Sequence, residues 1–115
     1  MPSSPEEKEF TSYVVDLMQS IGPVSAKYMF GGYGIFLEGL MFGLIADNVL
    51  YLKVDKETEN EFKAKGLEKF TYNKKGKEFK MSYYQAPEKA LENREEMSSW
   101  AAKAYGAARR AASKK

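Results

Sequence analysis

The side chains of this protein that could do chemistry are lysine, arginine, tyrosine, serine and carboxylate groups, because its 115 residues include no cysteine and no histidine. Without cysteine there is no thiolate nucleophile, no disulfide and no Cys-ligated zinc or iron–sulfur cluster. Without histidine there is no imidazole base, no Ser-His-Asp triad and no His-ligated metal. We therefore expect no catalytic residues, no metal and no cofactor, and interpret the protein as a non-enzyme.

Basic residues concentrate in the second half of the chain, where they could contact an anionic partner. Residues 1–61 hold four lysines against ten acids, whereas residues 62–115 hold 14 basic residues against six acids. This asymmetry favours an acidic partner such as nucleic acid. The alternative is a solvated hairpin loop and a helix end whose cations suit the helix dipole without any partner. The predicted nucleic-acid contacts are Lys74, Lys75, Lys77, Arg109 and Arg110.

The most distinctive segment is the glycine-rich run from Met29 to Gly34. A dinucleotide-binding fingerprint that begins at Gly32 would need a third glycine where the chain has Leu37, followed by a helix. We interpret the glycines instead as a bend or bulge that lets another element approach the strand closely. The alternative is a small-molecule-binding or catalytic site at the bend, which would use Gly31 to Gly34 with Lys27, Tyr28 and Asp47.

Aromatic residues are numerous, with seven phenylalanines, eight tyrosines and one tryptophan. Rings that lie beside lysines on a sheet could stack on unpaired bases. The sequence has no glycine–aromatic string of the RNA-recognition type, and we expect most of the rings to face the helices. Packing in the core is therefore the interpretation that we favour.

Hydrophobic periodicity predicts the elements that position these residues, beginning with a helix and a meander. Ser4 caps the first helix, and Gly22 followed by proline ends it. Four antiparallel strands joined by tight turns then occupy residues 27–54. We expect Asp55 to cap a second helix, which Gly66 ends.

The remainder of the chain predicts a hairpin and a long helix. Strands at 70–72 and 79–84 flank a polar hairpin loop at 73–77, and a capping box that begins at Asn93 starts the last helix. The order α-ββββ-α-ββ-α indicates an α+β fold. Its sheet is mostly antiparallel, and an N-terminal helix, a middle helix and a long C-terminal helix cover one face.

The last helix carries a stripe of small residues that would let a neighbouring element pack closely. The stripe could lie on the sheet of the same chain or on a second copy, and the sequence leaves both arrangements open. We therefore keep a homodimer, formed through a sheet edge or through this helix, as an expectation beside the monomer. The stripe consists of Ala101, Ala104, Ala108 and Ala112, with Tyr105 beside them.

The hydropathy of the chain gives no sign of a membrane segment. No run of apolar residues approaches the roughly 18 that would cross a bilayer. The residues that follow Met1 are polar and charged, unlike a signal peptide. We expect a soluble, cytoplasmic protein that makes no contact with a membrane.

Segments along the whole chain share their order and spacing with a known family. They lie at 27–36, 39–45, 50–55, 81–84 with 87–88, and 100–101 with 104. Together they resemble the N-terminal domain of the TfoX/Sxy family of competence regulators. The family's Met-Phe-Gly-Gly signature matches Met29, Phe30, Gly31 and Gly32.

This resemblance implies an α+β domain with no catalytic residues and no cofactor. The resemblance also implies a role like that of the family's co-activators of DNA-uptake genes, which act alongside the cyclic-AMP receptor protein. A protein partner from the transcription machinery, or a regulator, is therefore expected, with weak DNA contact through the basic segments. The resemblance covers one domain, and we expect residues 1–115 to form a single TfoX N-terminal-like domain without the C-terminal domain of the better-known regulators.

Overall fold

The computed structural model describes residues 5–29 and 31–113, with the backbone alone for residues 72–74 and 78–80. Within these residues three α-helices and two short 3-10 segments accompany six strands. The α+β class and the order α-ββββ-α-ββ-α are therefore confirmed. The elements are α1 Pro5–Met18, a 3-10 segment Gln19–Ile21, β1 Ser25–Met29, β2 Gly32–Leu37, β3 Leu40–Ala46, β4 Val49–Lys53, α2 Glu59–Ala64, β5 Lys69–Lys74, β6 Lys77–Gln85, a 3-10 segment Glu88–Leu91 and α3 Arg94–Ser113.

The six strands form one sheet in the order β1-β2-β3-β4-β6-β5. Every pair of neighbours is antiparallel. The first four strands are a simple meander, whereas β6 lies between β4 and β5. Helix α2 carries the chain away from β4, so that β5 becomes an edge and its hairpin partner β6 pairs with β4.

Three hairpins close through two-residue turns in which both residues have positive φ, the type I′ geometry that matches the twist of paired strands. The loop predicted at 73–77 is shorter than expected. The two strands continue up to a two-residue turn, since Lys74 pairs with Lys77. The turn residues are Glu38 (φ 50°) and Gly39 (φ 81°), Asp47 (φ 51°) and Asn48 (φ 62°), and Lys75 (φ 52°) and Gly76 (φ 77°).

All three helices pack on one face of the sheet, as predicted. The rings of Phe62 in α2 and Trp100 in α3 meet edge to face with centroids 5.0 Å apart. Phe42 on β3 is fully buried and meets Tyr105 of α3 at 5.8 Å. Burying an apolar side chain of this size contributes about 1.5–3 kcal/mol. These contacts fix α3 across the middle of the sheet.

Helix α3 places most of its small residues against its own chain. Asn93 caps it, since its side-chain oxygen accepts from the backbone N–H of Glu96 at 2.8 Å. Ala101, Ala104 and Ala108 are buried in the core of their own chain, whereas Ala112 is exposed. These three alanines therefore pack within the molecule, and Ala112 does not.

Asp55 differs from its predicted role as the cap of α2. Its carboxylate accepts from the backbone N–H of Glu57 at 3.0 Å, and its carbonyl accepts from that of Glu59 at 2.9 Å. These bonds close a turn ahead of the helix, which begins only at Glu59. The carboxylate of Asp55 is thereby left pointing toward α3, where it acquires a second partner.

Candidate nucleic-acid interface

The β5–β6 hairpin projects from one end of the sheet. The register pairs Lys53, the last residue of β4, with Tyr83. From Tyr83 back to Lys77 the hairpin continues for six residues, which is roughly 20 Å at about 3.3 Å per residue. Lys75 and Lys77 are exposed at its tip. Lys74 ends β5, and its side chain lies outside the described part of the structure.

The end of α3 reaches the same end of the sheet. Asp55 lies two residues after the end of β4, and it forms a bidentate pair with Arg110 of α3. The guanidinium Nε lies 2.5 Å from one carboxylate oxygen, and a terminal nitrogen lies 3.1 Å from the other. Glu57 lies 3.2 Å from the same Nε. The predicted contact residues of the hairpin and of α3 therefore lie toward one end of the molecule.

The ion pair changes what Arg110 can offer to a phosphate. The hydrogen bond from the guanidinium lowers the pKa of Asp55, and the same bond raises the pKa of Arg110. Two carboxylates thus pair with this cation, which remains 36% exposed. The neighbouring Arg109 side chain is exposed, and it borders an open depression of about 420 Å³ with Gly106, Arg110 and Ser113. Sequence reasoning missed the pairing because Asp55 lies 55 residues from Arg110.

The signature residues form the connection between β1 and β2, with Phe30 outside the described residues. Gly31 has a φ of 76°, which favours glycine. A Cβ on Gly32 would lie 2.2 Å from the carbonyl oxygen of Ile45 on β3. The interpretation of the glycines as a bend with close backbone approach is therefore confirmed at these two positions. Met29 ends β1 and is half-buried.

Of the residues proposed for a small-molecule site at this bend, Lys27 and Tyr28 point to opposite faces, whereas the turn that holds Asp47 lies beside Gly32. Lys27 and Tyr28 are consecutive in β1, so their side chains lie on opposite faces of the sheet. Tyr28 packs on Tyr33 with ring centroids 5.5 Å apart. Asp47 belongs to the β3–β4 turn. The space above Gly34 is filled by the sulfur atoms of Met29 and Met41 and by the ring of Phe36.

The sheet face turned away from the helices carries aromatic and methionine side chains. Most of the described rings pack in or against the core, as expected, but several strand rings face outward, because alternation along each strand sends them there. The alternation of Leu50 and Leu52 with Tyr51 was the available signal. The outer face, as we name this surface, consists of Met29, Phe36, Met41, Leu44, Tyr51, Phe70 and Tyr83.

Two further properties concern the described residues 5–29 and 31–113. They contain no group of three acidic, histidine or cysteine residues placed to hold a metal ion. None of their helices is both long and apolar enough to cross a membrane.

A second groove, of about 630 Å³, lies at the opposite end of the sheet from the hairpin tip and is bordered by Trp100, Lys65 and Pro87.

Known proteins contain sequences similar to this chain. A family model described as the TfoX N-terminal domain matches residues 16–108. The DNA transformation protein TfoX1 of Aliivibrio fischeri (strain ATCC 700601 / ES114) is 32% identical over 82 residues. The matched segment covers 71% of this chain but only 37% of that relative.

Proposed function

Because the chain belongs to the TfoX N-terminal domain family, we propose that it is a non-enzymatic, cytoplasmic regulatory domain that promotes the expression of competence or DNA-uptake genes. It acts through contacts with a protein partner, either the transcription machinery or a regulator. DNA contact is weak and supports those protein contacts. The observation that carries this proposal is the family match across residues 16–108.

The relative's name supports the competence assignment, since that protein is described as a DNA transformation protein. The match covers a minority of its length, so the activity of the whole relative reaches this chain only as part of the proposal. The described residues favour contact over catalysis, because Lys27 and Tyr28, two of the titratable groups suggested for a reactive site, point to opposite faces of the sheet. Lys27, Tyr28 and Asp47 lie on different faces or turns.

The DNA contact of the proposal uses the end of the sheet where the hairpin projects. Lys74, Lys75 and Lys77 sit on an element that extends beyond the body of the sheet, which lets it reach a phosphate backbone. Arg109 adds an exposed cation at the same end. Arg110 would first have to leave Asp55, so we assign it a smaller share. Phosphate contacts of this kind position a protein without reading sequence.

Binding of a labelled duplex, followed by fluorescence anisotropy across a salt series, tests this contact. The protein with Lys75→Ala and Lys77→Ala should bind more weakly and lose up to two units from the slope of log K against log salt, because each phosphate contact contributes about 0.9. The matched control is Lys8→Ala with Lys89→Ala, which removes the same charge from exposed lysines elsewhere. The control should keep the slope of the unmodified protein.

Two results would count against the DNA part of the proposal. One is a lack of duplex binding at low salt. The other is an equal loss in the hairpin variant and in the control, which would show that net charge alone governs binding. Either result would leave the protein-contact part standing, because the family match does not depend on DNA binding.

A further inference from the structure

The outer face is unusual for the open side of an antiparallel sheet. In such a sheet, the residues that face solvent are normally polar, and they alternate along each strand with apolar residues that face the core. Here Leu44 and Tyr51 face each other across β3 and β4, and Tyr51 meets Phe70 with ring centroids 4.7 Å apart. Tyr83 on β6 is buried, and burial raises its pKa to about 12. Apolar side chains therefore run across the middle strands of this surface, with Gln85 of β6 beside Tyr51.

Charged groups occur only toward the margins of the outer face, as far as its described side chains show. Lys53 lies at the end of β4, with its ammonium 5.3 Å from the centroid of the Tyr83 ring. Lys27 belongs to the edge strand β1. Aromatic and methionine residues in the centre with charges at the rim are the composition of protein–protein interfaces.

We propose that the outer face binds a second copy of this chain, so that two sheets pack face to face. Six strands at about 4.8 Å spacing and five residues of about 3.3 Å each present roughly 500 Å². Two such faces bury about 1,000 Å², which reaches the lower limit for a specific interface. The proposal stands apart from the regulatory function, which does not require a dimer.

The charges at the rim are complementary to a second copy. Asp47 and Glu68 raise the pKa of Tyr51, after burial, so their carboxylates lie near the end of the face where β4 begins. Lys53 lies where β4 ends. A two-fold axis that runs between the two sheets, parallel to them and perpendicular to the strands, places Lys53 of one copy over the acidic end of its partner. The same surface is therefore self-complementary, as a symmetric dimer requires.

This surface replaces the two routes to a dimer that the sequence suggested. Ala101, Ala104 and Ala108 of α3 are buried in their own core and cannot also meet a partner. The edge strand β1 is short. Four of its five residues are exposed, and they alternate between the two faces of the sheet. A strand of that kind adds few apolar contacts to an edge-to-edge pair.

Sedimentation velocity over a concentration series tests the proposal on the full chain. The unmodified protein should sediment as a dimer of 13.0 kDa subunits at about 100 µM, a high concentration chosen because interfaces near the lower size limit are weak. Leu44→Lys places a charge at the centre of the outer face and should raise the dissociation constant at least tenfold. The control Tyr28→Lys makes a similar change at an exposed site off this face and should leave the dimer intact.

A charge reversal keeps the test decisive if Leu44→Lys fails to fold. Lys53→Glu should weaken the dimer because it sets a carboxylate against the acidic end of the partner. Adding Glu68→Lys to Lys53→Glu should restore it. A monomer at every concentration, or equal dimerisation of the Leu44→Lys and Tyr28→Lys proteins, would overturn the proposal. So would a double variant no tighter than Lys53→Glu alone.

Discussion

At the scale of single residues, backbone proximity explains the glycine-rich signature better than ligand chemistry does. Gly31 adopts a positive φ at the turn, and Gly32 lies under the carbonyl oxygen of Ile45. Any side chain at position 32 would meet backbone rather than the movable end of a side chain. The two strands would then have to separate, and the sheet loses its hydrogen bonds there. The signature thus secures the start of β2 against β3.

Substitution of this glycine provides a direct check. We expect Gly32→Ala to lower the free energy of unfolding by about 3 kcal/mol or more, the upper range for forcing extra atoms into packed structure. The control is Gly106→Ala within α3, where the nearest atom is the Arg110 guanidinium at 3.4 Å. Alanine there should stabilise the helix by about 0.5–1 kcal/mol. Urea denaturation of both variants measures this, and equal stabilities would contradict the explanation.

At the scale of elements, one ion pair ties the end of α3 to the turn between β4 and α2. Arg110 contributes two hydrogen bonds to Asp55, and Glu57 adds a second carboxylate. Because the bond lowers the pKa of Asp55 in the folded protein, its contribution is present above the ordinary value of 3.8. It is lost as the pH falls below 3.8 through the folded-state value.

The pH dependence of stability therefore distinguishes the two adjacent arginines. Arg110→Ala should destabilise the protein at neutral pH and reduce the further loss of stability on acidification below pH 3.8. Arg109→Ala removes an exposed cation and should keep the acid dependence of the unmodified protein. Chemical denaturation at neutral and acidic pH measures both. An unchanged acid dependence in Arg110→Ala would show that the pair does not anchor the helix.

Local chemistry made most elements predictable from the sequence. Asn93 and Glu96 predicted the start of α3, and the turn residues Asp47 and Asn48 predicted a hairpin, because caps and tight turns depend on a few adjacent residues. The position of β6 between β4 and β5 depends on pairing between distant segments. Local patterns carry no record of that pairing.

The candidate site was less predictable than the fold. The charge distribution indicated both basic segments, but it could not show that Asp55 neutralises Arg110, since this contact joins residues far apart in the chain. The alternation of side chains along β4 predicted that Tyr51 lies on the other face of the sheet from Leu50 and Leu52. It could not show that the other strands add their own aromatic residues to the same outward surface, because that depends on the register of the whole sheet.

At the scale of the whole molecule, three surfaces separate three roles. Helices cover one face of the sheet and supply the core, the outer face is proposed to receive a second copy, and the hairpin end is proposed to contact DNA. A substitution on one surface should therefore leave the roles of the other two surfaces unchanged. In particular, loss of the dimer through Leu44→Lys leaves Lys75 and Lys77 in place.

The central claim, that this domain promotes competence genes, is tested most directly by transcript levels in the cells that encode it. We expect overproduction of the full chain to raise DNA-uptake transcripts several-fold and deletion to lower them. The Lys75→Ala and Lys77→Ala protein should give a smaller rise than the Lys8→Ala and Lys89→Ala control at equal protein levels. Unchanged DNA-uptake transcripts on both deletion and overproduction would contradict the claim.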